Sequence, residues 1–505
     1  MYDAVVVGAG VSGLTNALLL ARAGQRVAVV ERAKQCAPLL RGFERWGIQF
    51  DTGFHYAGAL ADGEGLQRFF NLLGLNHHLK IEPMRSSGFD RIITGEEGSD
   101  YDFPVGADEI VRTLSDRFPA EQAAIRRFID DTLQVSDHLP YINPDVAIDQ
   151  LSAFDRAHDI SLKDYLAALT ANPMLRRLLS LHSLLHGIAP ERVPFRFHAS
   201  VIGPYFRSAS TIVGGGLALA NAFERCLKEA GVDLICDAEV KQILLSSNEG
   251  VEGVELSDGT VIHSQTVIST IHPHYTLNCL PDRVFRPIYR KRLSSLDESM
   301  SACVLFARCR QPLEVLRGRN LYLLPASATS PPMQQQHQQD GRGSVDENLL
   351  YVTSANAASG SDCGGFMVIA PTAAAQFSQW QQSRLGQRPD SYNTYKQQIC
   401  DQMIAQLEQL QPELTADMDR YQLATPLTLR DYMFSPDGAL YGVQHQVGQY
   451  PLQAITRIKG LYLSGQALVA PGVMGAMISG FSTCGTILGH DRLVGELKQC
   501  HQTIQ

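Results

Sequence analysis

The sequence predicts an α/β fold, in which a doubly wound, Rossmann-type parallel sheet is built from separated segments of the chain and an α+β unit is inserted between them. Three observations predict this fold. The chain opens on a strand, a glycine-rich turn, a helix and a second strand, which is the unit that starts such a sheet. A long leucine-rich stretch with helical spacing interrupts the pattern. A segment at 460–489 then has the glycine-rich, apolar composition of the opening and carries no charged residue.

The first elements follow from short local patterns. The run Asp3–Val7 is β-branched and suits a strand buried on both faces. A helix is predicted over Leu14–Ala23, because good helix formers end there at Gly24. A second strand is predicted over Arg26–Val30.

The turn between the first strand and the helix has the G-x-G-x-x-G spacing of a dinucleotide site. Gly8 allows a tight turn, Gly10 lets backbone amides approach a pyrophosphate, and Gly13 permits close contact of helix and strand. Glu31, at the end of the second strand, is placed to accept hydrogen bonds from a ribose diol. These residues predict a dinucleotide site. The long insertion that follows disfavours a simple nicotinamide dehydrogenase, which would continue with regular βα units.

The middle of the chain is first helical and then rich in strands. Helices are predicted over Ala123–Leu133, whose apolar residues share one face, and over the leucine-rich Ser161–His186. From about Ser210 apolar and polar residues alternate, and Asp258-Gly259 supplies a hairpin turn. The strands predicted here are Val232–Cys236, Val240–Leu245, Val251–Leu256 and Val267–Thr270.

These patterns divide the chain into five segments. The core takes 1–65, 207–284 and 451–505, and the inserted unit takes a mostly helical segment, 66–206, and a second segment, 285–450. Within the last of these, 325–348 is rich in Ser, Pro, Gln and Gly, so we predict a mobile loop.

Composition excludes several classes for the 505-residue chain. A hydrophobic content of 45% is ordinary for a globular protein and provides for more than one core. The net charge of −9, without a long Lys/Arg run, offers nucleic acid no electrostatic footprint. The ten cysteines include no C-x-x-C pair, which argues against a zinc ribbon, a redox dithiol or a disulfide framework. We predict reduced thiols in the cytoplasm, no metal and no nucleic-acid partner.

Two stretches bear on a membrane location. The N-terminus runs at once into the first strand, so we predict no signal peptide. The segment 460–489 is long enough to span a bilayer, but its many glycines and Pro471 make it a poor lipid-facing helix, and we predict that it is buried. A peripheral contact with a membrane stays open, because an apolar groove need not show in the composition.

Four further motifs point to one family. The segment Gly47–Gly58 carries the sequence D-T-G-F-H-Y, Tyr101–Pro104 reads Y-D-F-P, and Gly214–Gly216 is a glycine triplet before a helix. The ending has G-L-Y-L-S-G-Q at Gly460–Gln466, followed by P-G at 471–472. Together they resemble the flavoprotein superfamily of phytoene desaturases, carotenoid isomerases and retinol saturase, nearest to the retinol saturase and carotenoid isomerase side. The resemblance implies a discontinuous, glutathione-reductase-like FAD-binding core with an inserted substrate domain.

The resemblance also implies roles for single residues. It places the backbone of Val240 at the adenine, and Gly465 and Gln466 at the pyrophosphate and ribityl chain. Gly472 and Gly475 would let a helix N-terminus face the pyrimidine end of the flavin, where negative charge develops on reduction. The other residues implied to hold FAD are Gly8, Gly10, Gly13, Glu31, Arg32, Arg41, Thr52 and Gly53.

One stretch departs from the family. Many relatives carry a glycine pair soon after the ribose acid, whereas the corresponding stretch here, Lys34–Gly42, has none. We expect Arg41 to reach the cofactor phosphates along a different local path of the backbone.

His55 is the candidate catalytic residue. Its motif is implied to pass near the flavin ring, where an imidazole could position substrate or donate a proton, and a packed structural role competes with this interpretation. His182 and His186 have the spacing of a metal pair but lack an H-E-x-x-H pattern, so we predict a core or groove-lining role for both.

The resemblance implies an FAD-dependent oxidoreductase that saturates, isomerises or desaturates carbon–carbon double bonds of an apolar polyene, isoprenoid or acyl chain, in that order of preference. Hydride exchange at flavin N5 is the chemistry that it implies. The sequence shows no second dinucleotide fingerprint, so an external electron donor or acceptor is expected. Two alternatives stay open: a flavin amine or amino-acid oxidase, and a non-catalytic prenyl- or polyene-binding protein on the same fold.

Overall fold

The computed structural model describes residues 1–95, 100–147, 159–246, 250–325, 349–357 and 363–502. Its strands, in chain order, are β1 Ala4–Val7, β2 Val27–Val30, β3 Phe43–Arg45, β4 Ile48–Phe50, β5 Ile81–Pro83, β6 Asp90–Ile93, β7 Tyr101–Phe103, β8 Ser210–Ile212, β9 Asp233–Ile235, β10 Val240–Leu245, β11 Val251–Leu256, β12 Val261–His263, β13 Val267–Ser269, β14 Ser301–Cys309, β15 Asn320–Leu323, β16 Leu350–Ala357, β17 Gly364–Thr372, β18 Met418–Ala424 and β19 Leu461–Leu463. Its helices are α1 Val11–Arg22, α2 Pro38–Arg41, α3 Gly65–Leu72, α4 Ala107–Arg117, α5 Gln122–Asp137, α6 Leu162–Leu169, α7 Pro173–Leu179, α8 Phe195–Arg207, α9 Gly215–Glu229, α10 Pro273–Asn278, α11 Pro287–Ser294, α12 Asp390–Leu410, α13 Pro426–Met433, α14 Gly472–Leu488 and α15 His490–Gln502.

A five-stranded parallel sheet with the order β19-β13-β1-β2-β9 forms the core that the opening residues predict. Successive side chains of β1 point to opposite faces. Ala4 and Val6 pack with α1, α9 and α14, whereas Val5 and Val7 pack towards the antiparallel sheet β10-β11-β12. The strands come from the opening, from the region after Ser210 and from the end of the chain, which confirms the predicted α/β architecture.

A nine-stranded sheet forms the base of the inserted unit. Its main path is β18-β14-β17-β16-β15-β6-β7, and β4 pairs with β16 and with β3. Leu321 and Leu323 of β15 face a core with α12, whereas Tyr322 between them faces the helices α4 to α8. The strands β3 and β4 lie within the predicted core segment 1–65 but belong to this sheet.

One long predicted helix is wrong. Instead of a continuous helix over Ser161–His186, the chain forms α6, α7 and a short 3₁₀ turn at Leu181–Leu185. Pro173 cannot continue a preceding helix but suits the first position of a new one, and the Asn172 side chain caps that helix by accepting a hydrogen bond from the Leu175 amide.

Other predicted elements are confirmed or lie outside the structure. The helix predicted over Ala123–Leu133 is part of α5, and the strands predicted after Ser210 correspond to β9, β10, β11 and β13. The predicted loop 325–348 lies outside the described residues except for Pro325. A search of the described helices found none with the length and hydropathy that a membrane span requires.

Candidate functional site

A cavity of about 1360 Å³ lies between the parallel sheet and the inserted unit. Its wall includes the glycine-rich turn after β1, the end of β2, the start of α14 and side chains of α8, β16 and β17. The volume exceeds the range of about 300–1,000 Å³ of a site for one drug-sized ligand. The cavity therefore has room for a dinucleotide together with a second ligand.

The glycine-rich turn is built as its spacing predicts. Gly8 has a φ of +101°, which favours glycine, and lines the cavity together with Gly10. A Cβ on Gly13 would collide with the backbone carbonyl of Gly8, so Gly13 lets α1 pack against the turn from behind the cavity wall. A Cβ on Gly10 would meet no protein atom within 4 Å, because this residue faces the open cavity.

The acidic residue after β2 lines the cavity at the predicted place. The Glu31 carboxylate accepts hydrogen bonds from the amides of Ala9, at 2.7 Å, and Ala33, at 2.8 Å. Each oxygen has a second lone pair, so the carboxylate can also accept from a diol. The guanidinium of the adjacent Arg32 lies over the Phe434 ring, 3.3 Å from its centroid, and also lines the cavity.

The C-terminal segment meets the turn from the other side. Gly465 and Gln466 line the cavity, and the Gly465 amide donates to the Ser479 hydroxyl at 2.8 Å. The Ser464 hydroxyl bonds that of Ser12 at 2.8 Å and joins the segment to α1. Sequence reasoning missed this serine contact, because its partners lie 452 positions apart.

Two helix N-termini open onto this part of the cavity. The N-cap residues of α1 and α14 are Gly10 and Pro471, neither of which has a side chain that can cap a helix. Gly472 and Gly475 line the cavity at the start of α14, and a Cβ on Gly475 would collide with the carbonyl of Ala470. Uncapped N-termini attract anions, so this end fits the pyrophosphate of a dinucleotide.

The adenine position implied for Val240 lies at the same end. The residue begins β10 next to an irregularity in its pairing with β11, and it lines the cavity. Its carbonyl accepts a weak hydrogen bond from the Cys279 thiol at 3.5 Å.

Arg41 is placed differently from the expectation and lies outside the cavity wall. Its guanidinium donates to the Cys36 carbonyl at 2.7 Å and to Asn221 at 2.9 Å, and it forms an ion pair with Glu224 of α9. In the stretch without a glycine pair, Ala37 takes a left-handed φ of +50° before the short helix α2. That local path directs Arg41 to α9 and away from the cavity.

The D-T-G-F-H-Y motif links α9 to the cavity. The carboxylate of Asp51 accepts a hydrogen bond from the Gly216 amide at 3.0 Å. The glycine triplet therefore anchors this motif to α9. Thr52 and Gly53 line the cavity, and the Thr52 hydroxyl donates to the Leu39 carbonyl at 2.9 Å. The motif is thereby held close to α2.

His55 lies in a chamber walled by tyrosines. Burial lowers the pKa of His55 to about 4, so its imidazole is neutral at pH 7. Its ring centroid is 6.2 Å from that of Tyr351, which pairs with Ile369 of β17 in the large sheet. The tyrosines that line the cavity near this motif are Tyr56, Tyr205, Tyr351 and Tyr441.

A buried carboxylate supports this tyrosine wall. Asp90 is inaccessible to solvent and accepts hydrogen bonds from Tyr56 at 2.9 Å and from Asn320 at 2.9 Å, and its carboxylate lies 3.0 Å from Nε2 of His182. His186 bonds His198 at 3.0 Å in the core of the helical region. The core role predicted for His182 and His186 is confirmed. The sequence gives no signal for Asp90, because its three partners come from three separate parts of the chain.

Among the described residues, one group of potential metal ligands lies outside the cavity. His78, Cys226 and Glu229 place their ligand atoms within 4.8 Å of one another at the surface of α9. The prediction that the protein holds no metal remains a prediction.

Comparisons with known proteins agree with this architecture. A family model described as flavin containing amine oxidoreductase matches residues 11–361. The chain is 27% identical to all-trans-retinol 13,14-reductase of Rattus norvegicus, over 98% of this chain and 87% of that protein. It is 22% identical to the lycopene-forming phytoene desaturase of Pseudescherichia vulneris, over 97% of this chain and 99% of that protein.

Solved structures share the fold. An oxidoreductase from Methanosarcina mazei superposes with a TM-score of 0.67 at 16% identity, covering 95% of this chain and 99% of that one. Putrescine oxidase bound to putrescine gives a TM-score of 0.64 at 16% identity, covering 96% and 99%.

Proposed function

The chain belongs to the family of flavin containing amine oxidoreductases and is an FAD-dependent oxidoreductase, and we propose that it acts on carbon–carbon double bonds of an apolar polyene. The observation that carries the proposal is the chamber at His55, whose wall consists of tyrosines and aliphatic side chains such as Ile369 and Val201. The retinol reductase and the phytoene desaturase, to which the chain is similar along nearly its whole length, support the same substrate class. We rank saturation first, then isomerisation and desaturation.

The residues present fit FAD. We infer that the turn at Gly8 and Gly10 and the N-terminus of α1 hold the pyrophosphate, that Glu31 holds the ribose of the ADP part, and that the N-terminus of α14 faces the pyrimidine end of the flavin. When bound, the flavin supplies hydride exchange at N5. The chain itself orients the substrate against the tyrosine wall and excludes water from it.

We assign His55 the role of proton carrier in this chamber. A neutral imidazole has one ring nitrogen that donates and one that accepts, so His55 can pass a proton to a carbon of the substrate from one nitrogen and take up a proton at the other. In saturation that proton stays in the product and is replaced from solvent, whereas in isomerisation the substrate returns a proton. The same chemistry serves saturation and isomerisation. Electrons enter or leave through an external donor or acceptor, which we propose because the sequence shows no second nucleotide fingerprint.

We also propose a peripheral membrane contact at one edge of the cavity. The most exposed apolar residues of the cavity wall are Tyr432 (64%), Ile455 (63%), Tyr450 (59%) and Phe434 (44%). Exposed apolar residues around an opening favour contact with lipid. Cosedimentation with neutral lipid vesicles should fall for Tyr432→Ser together with Ile455→Ser and stay unchanged for Ile288→Ser, which removes an equally exposed apolar side chain elsewhere.

A second candidate is an amine oxidase, favoured by the tyrosines at the cavity wall, since aromatic rings bind ammonium groups. Three measurements on the purified protein separate the candidates. The visible spectrum of the protein should show the absorption bands of a flavin. The supernatant after heat denaturation should contain free FAD. Anaerobically reduced protein should be reoxidised by all-trans-retinol or another polyene. Peroxide production that depends on putrescine would instead favour the amine oxidase, and a protein that takes up no FAD would favour a polyene-binding protein.

A further inference from the structure

A stripe along α14 changes from apolar to hydrogen-bonding as it leaves the nucleotide end of the cavity. Residues four apart lie on one face of a helix. The residues of α14 with this spacing that line the cavity are Met474, Ile478, Ser482 and Thr486, and His490, the first residue of α15, lines it just beyond Gly489. The opposite face packs on α1, where Gly480 lies against Thr15 and the Cys484 thiol donates to Asn16 at 3.2 Å.

The change from apolar to hydrogen-bonding side chains extends along α14 over a distance comparable to the length of a chain-like ligand. At 1.5 Å per residue, the step from Met474 to Thr486 spans about 18 Å of the helix axis. Met474 lies in the first turn of α14, next to the glycines inferred to hold the flavin. A ligand along this wall therefore meets apolar contacts near the reacting centre and hydroxyl or imidazole groups at its far end.

His490, which follows the stripe at the start of α15, is held by a strained partner. The Tyr141 hydroxyl bonds Nδ1 of His490 at 2.6 Å. Tyr141 is inaccessible to solvent and has a φ of +69°, which a bulky side chain adopts only when the surroundings impose it. Gly485 leaves the room for the pair, because a Cβ there would collide with both the imidazole and the phenol.

The pair fixes which imidazole nitrogen carries the proton. Burial raises the pKa of Tyr141, so its phenol remains protonated, and the hydroxyl donates to Nδ1 because the described residues offer it no other acceptor. Burial also lowers the pKa of His490, which keeps the ring neutral. A neutral imidazole that accepts at Nδ1 carries its hydrogen at Nε2, so His490 is a hydrogen-bond donor to the cavity.

We propose that this end of the cavity binds an oxygen atom at one end of the substrate, with His490 as the donor, so that the substrate is an apolar chain with one oxygen-bearing end and not a pure hydrocarbon. Alcohol, carbonyl and carboxylate oxygens share the required acceptor chemistry. The Ser482 hydroxyl adds a second polar group to the same end, whereas the Thr486 hydroxyl donates to the Ser482 carbonyl at 3.1 Å and offers the ligand its oxygen alone. The inference rests on the proposed function and specifies its substrate class.

Binding to the oxidised holoenzyme tests the inference without turnover. All-trans-retinol and the hydrocarbon phytoene are titrated while the flavin spectrum is followed. We expect retinol to bind about tenfold more tightly than phytoene, and His490→Leu to remove this difference by weakening retinol alone, since one lost hydrogen bond is worth about tenfold. Tyr141→Phe, which keeps the ring, should reduce the preference part of the way. His77→Leu, at an exposed histidine outside the cavity, is the matched control.

Three outcomes overturn the inference, and the third rejects the proposed function as well. Equal binding of retinol and phytoene to the unchanged holoenzyme, or equal weakening of both by His490→Leu, would reject the polar end and leave the proposed function standing. A holoenzyme that retains FAD but binds neither polyene would reject the proposed function as well. Ser482→Ala, which removes the other hydroxyl donor at this end, repeats the test should His490→Leu fail to fold.

Discussion

The two ends of the cavity are built in opposite ways. The nucleotide end uses backbone, namely glycine turns and uncapped helix N-termini, together with Glu31 as its acidic residue. The chamber at His55 uses side chains that converge from the first segment, α8, the large sheet and the segment after α13. Backbone sites depend on a few adjacent residues, whereas a side-chain wall depends on packing of distant elements. The two ends should therefore respond differently to substitution.

Removal of the buried carboxylate should break the chamber and spare the nucleotide end. Asp90→Ala leaves Tyr56, Asn320 and His182 without their shared acceptor, so we expect a loss of about 3–5 kcal/mol in the free energy of unfolding. Denaturant unfolding measures it, and flavin content at low temperature should stay near that of the unchanged protein. Loss of flavin in the folded variant would show that the two ends are not separable.

A decrease in pH should destabilise the protein through protonation of His55 in its chamber. The pKa of His55 in the folded protein, about 4, lies below the ordinary value of 6.5, so the unfolded chain binds more protons between these values. Stability is fully present above about pH 6.5 and falls as the pH drops towards 4, by about 3 kcal/mol from this group. His55→Phe should flatten the dependence over that range. An unchanged slope would contradict the neutral, buried state of His55.

Two glycine substitutions should separate packing from ligand binding at the nucleotide end. Gly13→Ala forces a Cβ against the Gly8 carbonyl and should destabilise even the flavin-free protein by about 1–3 kcal/mol. Gly10→Ala places its Cβ in open space, so the flavin-free protein should keep its Tm while its affinity for FAD falls at least tenfold. Thermal unfolding and FAD titration of both variants check this. Equal behaviour of the two would contradict the geometry of the turn.

The smallest effect is expected at Arg41. Its guanidinium binds α9 and the Cys36 carbonyl, so Arg41→Ala should cost about 1 kcal/mol of stability or less. The affinity for FAD should change less than twofold in a fluorescence titration. A tenfold loss of affinity would show that Arg41 moves to the phosphates when the cofactor binds, as the sequence led us to expect.

Sequence reasoning identified cavity-lining residues that belong to local motifs. It did not identify residues that only the packing of distant elements brings to the cavity. Of the residues implied to hold FAD, all but Gly13 and Arg41 line the cavity. Gly13 acts behind the turn, as its spacing indicates, and Arg41 is directed away by α2. Asp90 and Tyr441 gave no signal, because an isolated acid or tyrosine in a strand or loop has no local pattern that reports its partners.

The helical region shows the same limit within one element. Leucine spacing predicts helix over Ser161–His186, and most of that stretch is helical. The apolar spacing alone suggests one continuous helix, but Asn172 followed by Pro173 is typical of a helix N-terminus. The chain therefore turns there and begins a new helix, α7. Similarly, β3 and β4 joined the large sheet although their place in the chain suggests the core.

The sequence by itself determined the βαβ opening, the glycine turn with its acidic residue, and the return of the chain to the core at its end, because tight turns and backbone approach to a ligand demand glycine at fixed spacing. Only the tertiary structure decided what surrounds the substrate. The pair of Tyr141 with His490 joins residues 349 positions apart, and the tyrosine wall and the Asp90 network likewise join distant parts of the chain. Such contacts are set by how sheets and helices pack, and no local pattern in the chain encodes them.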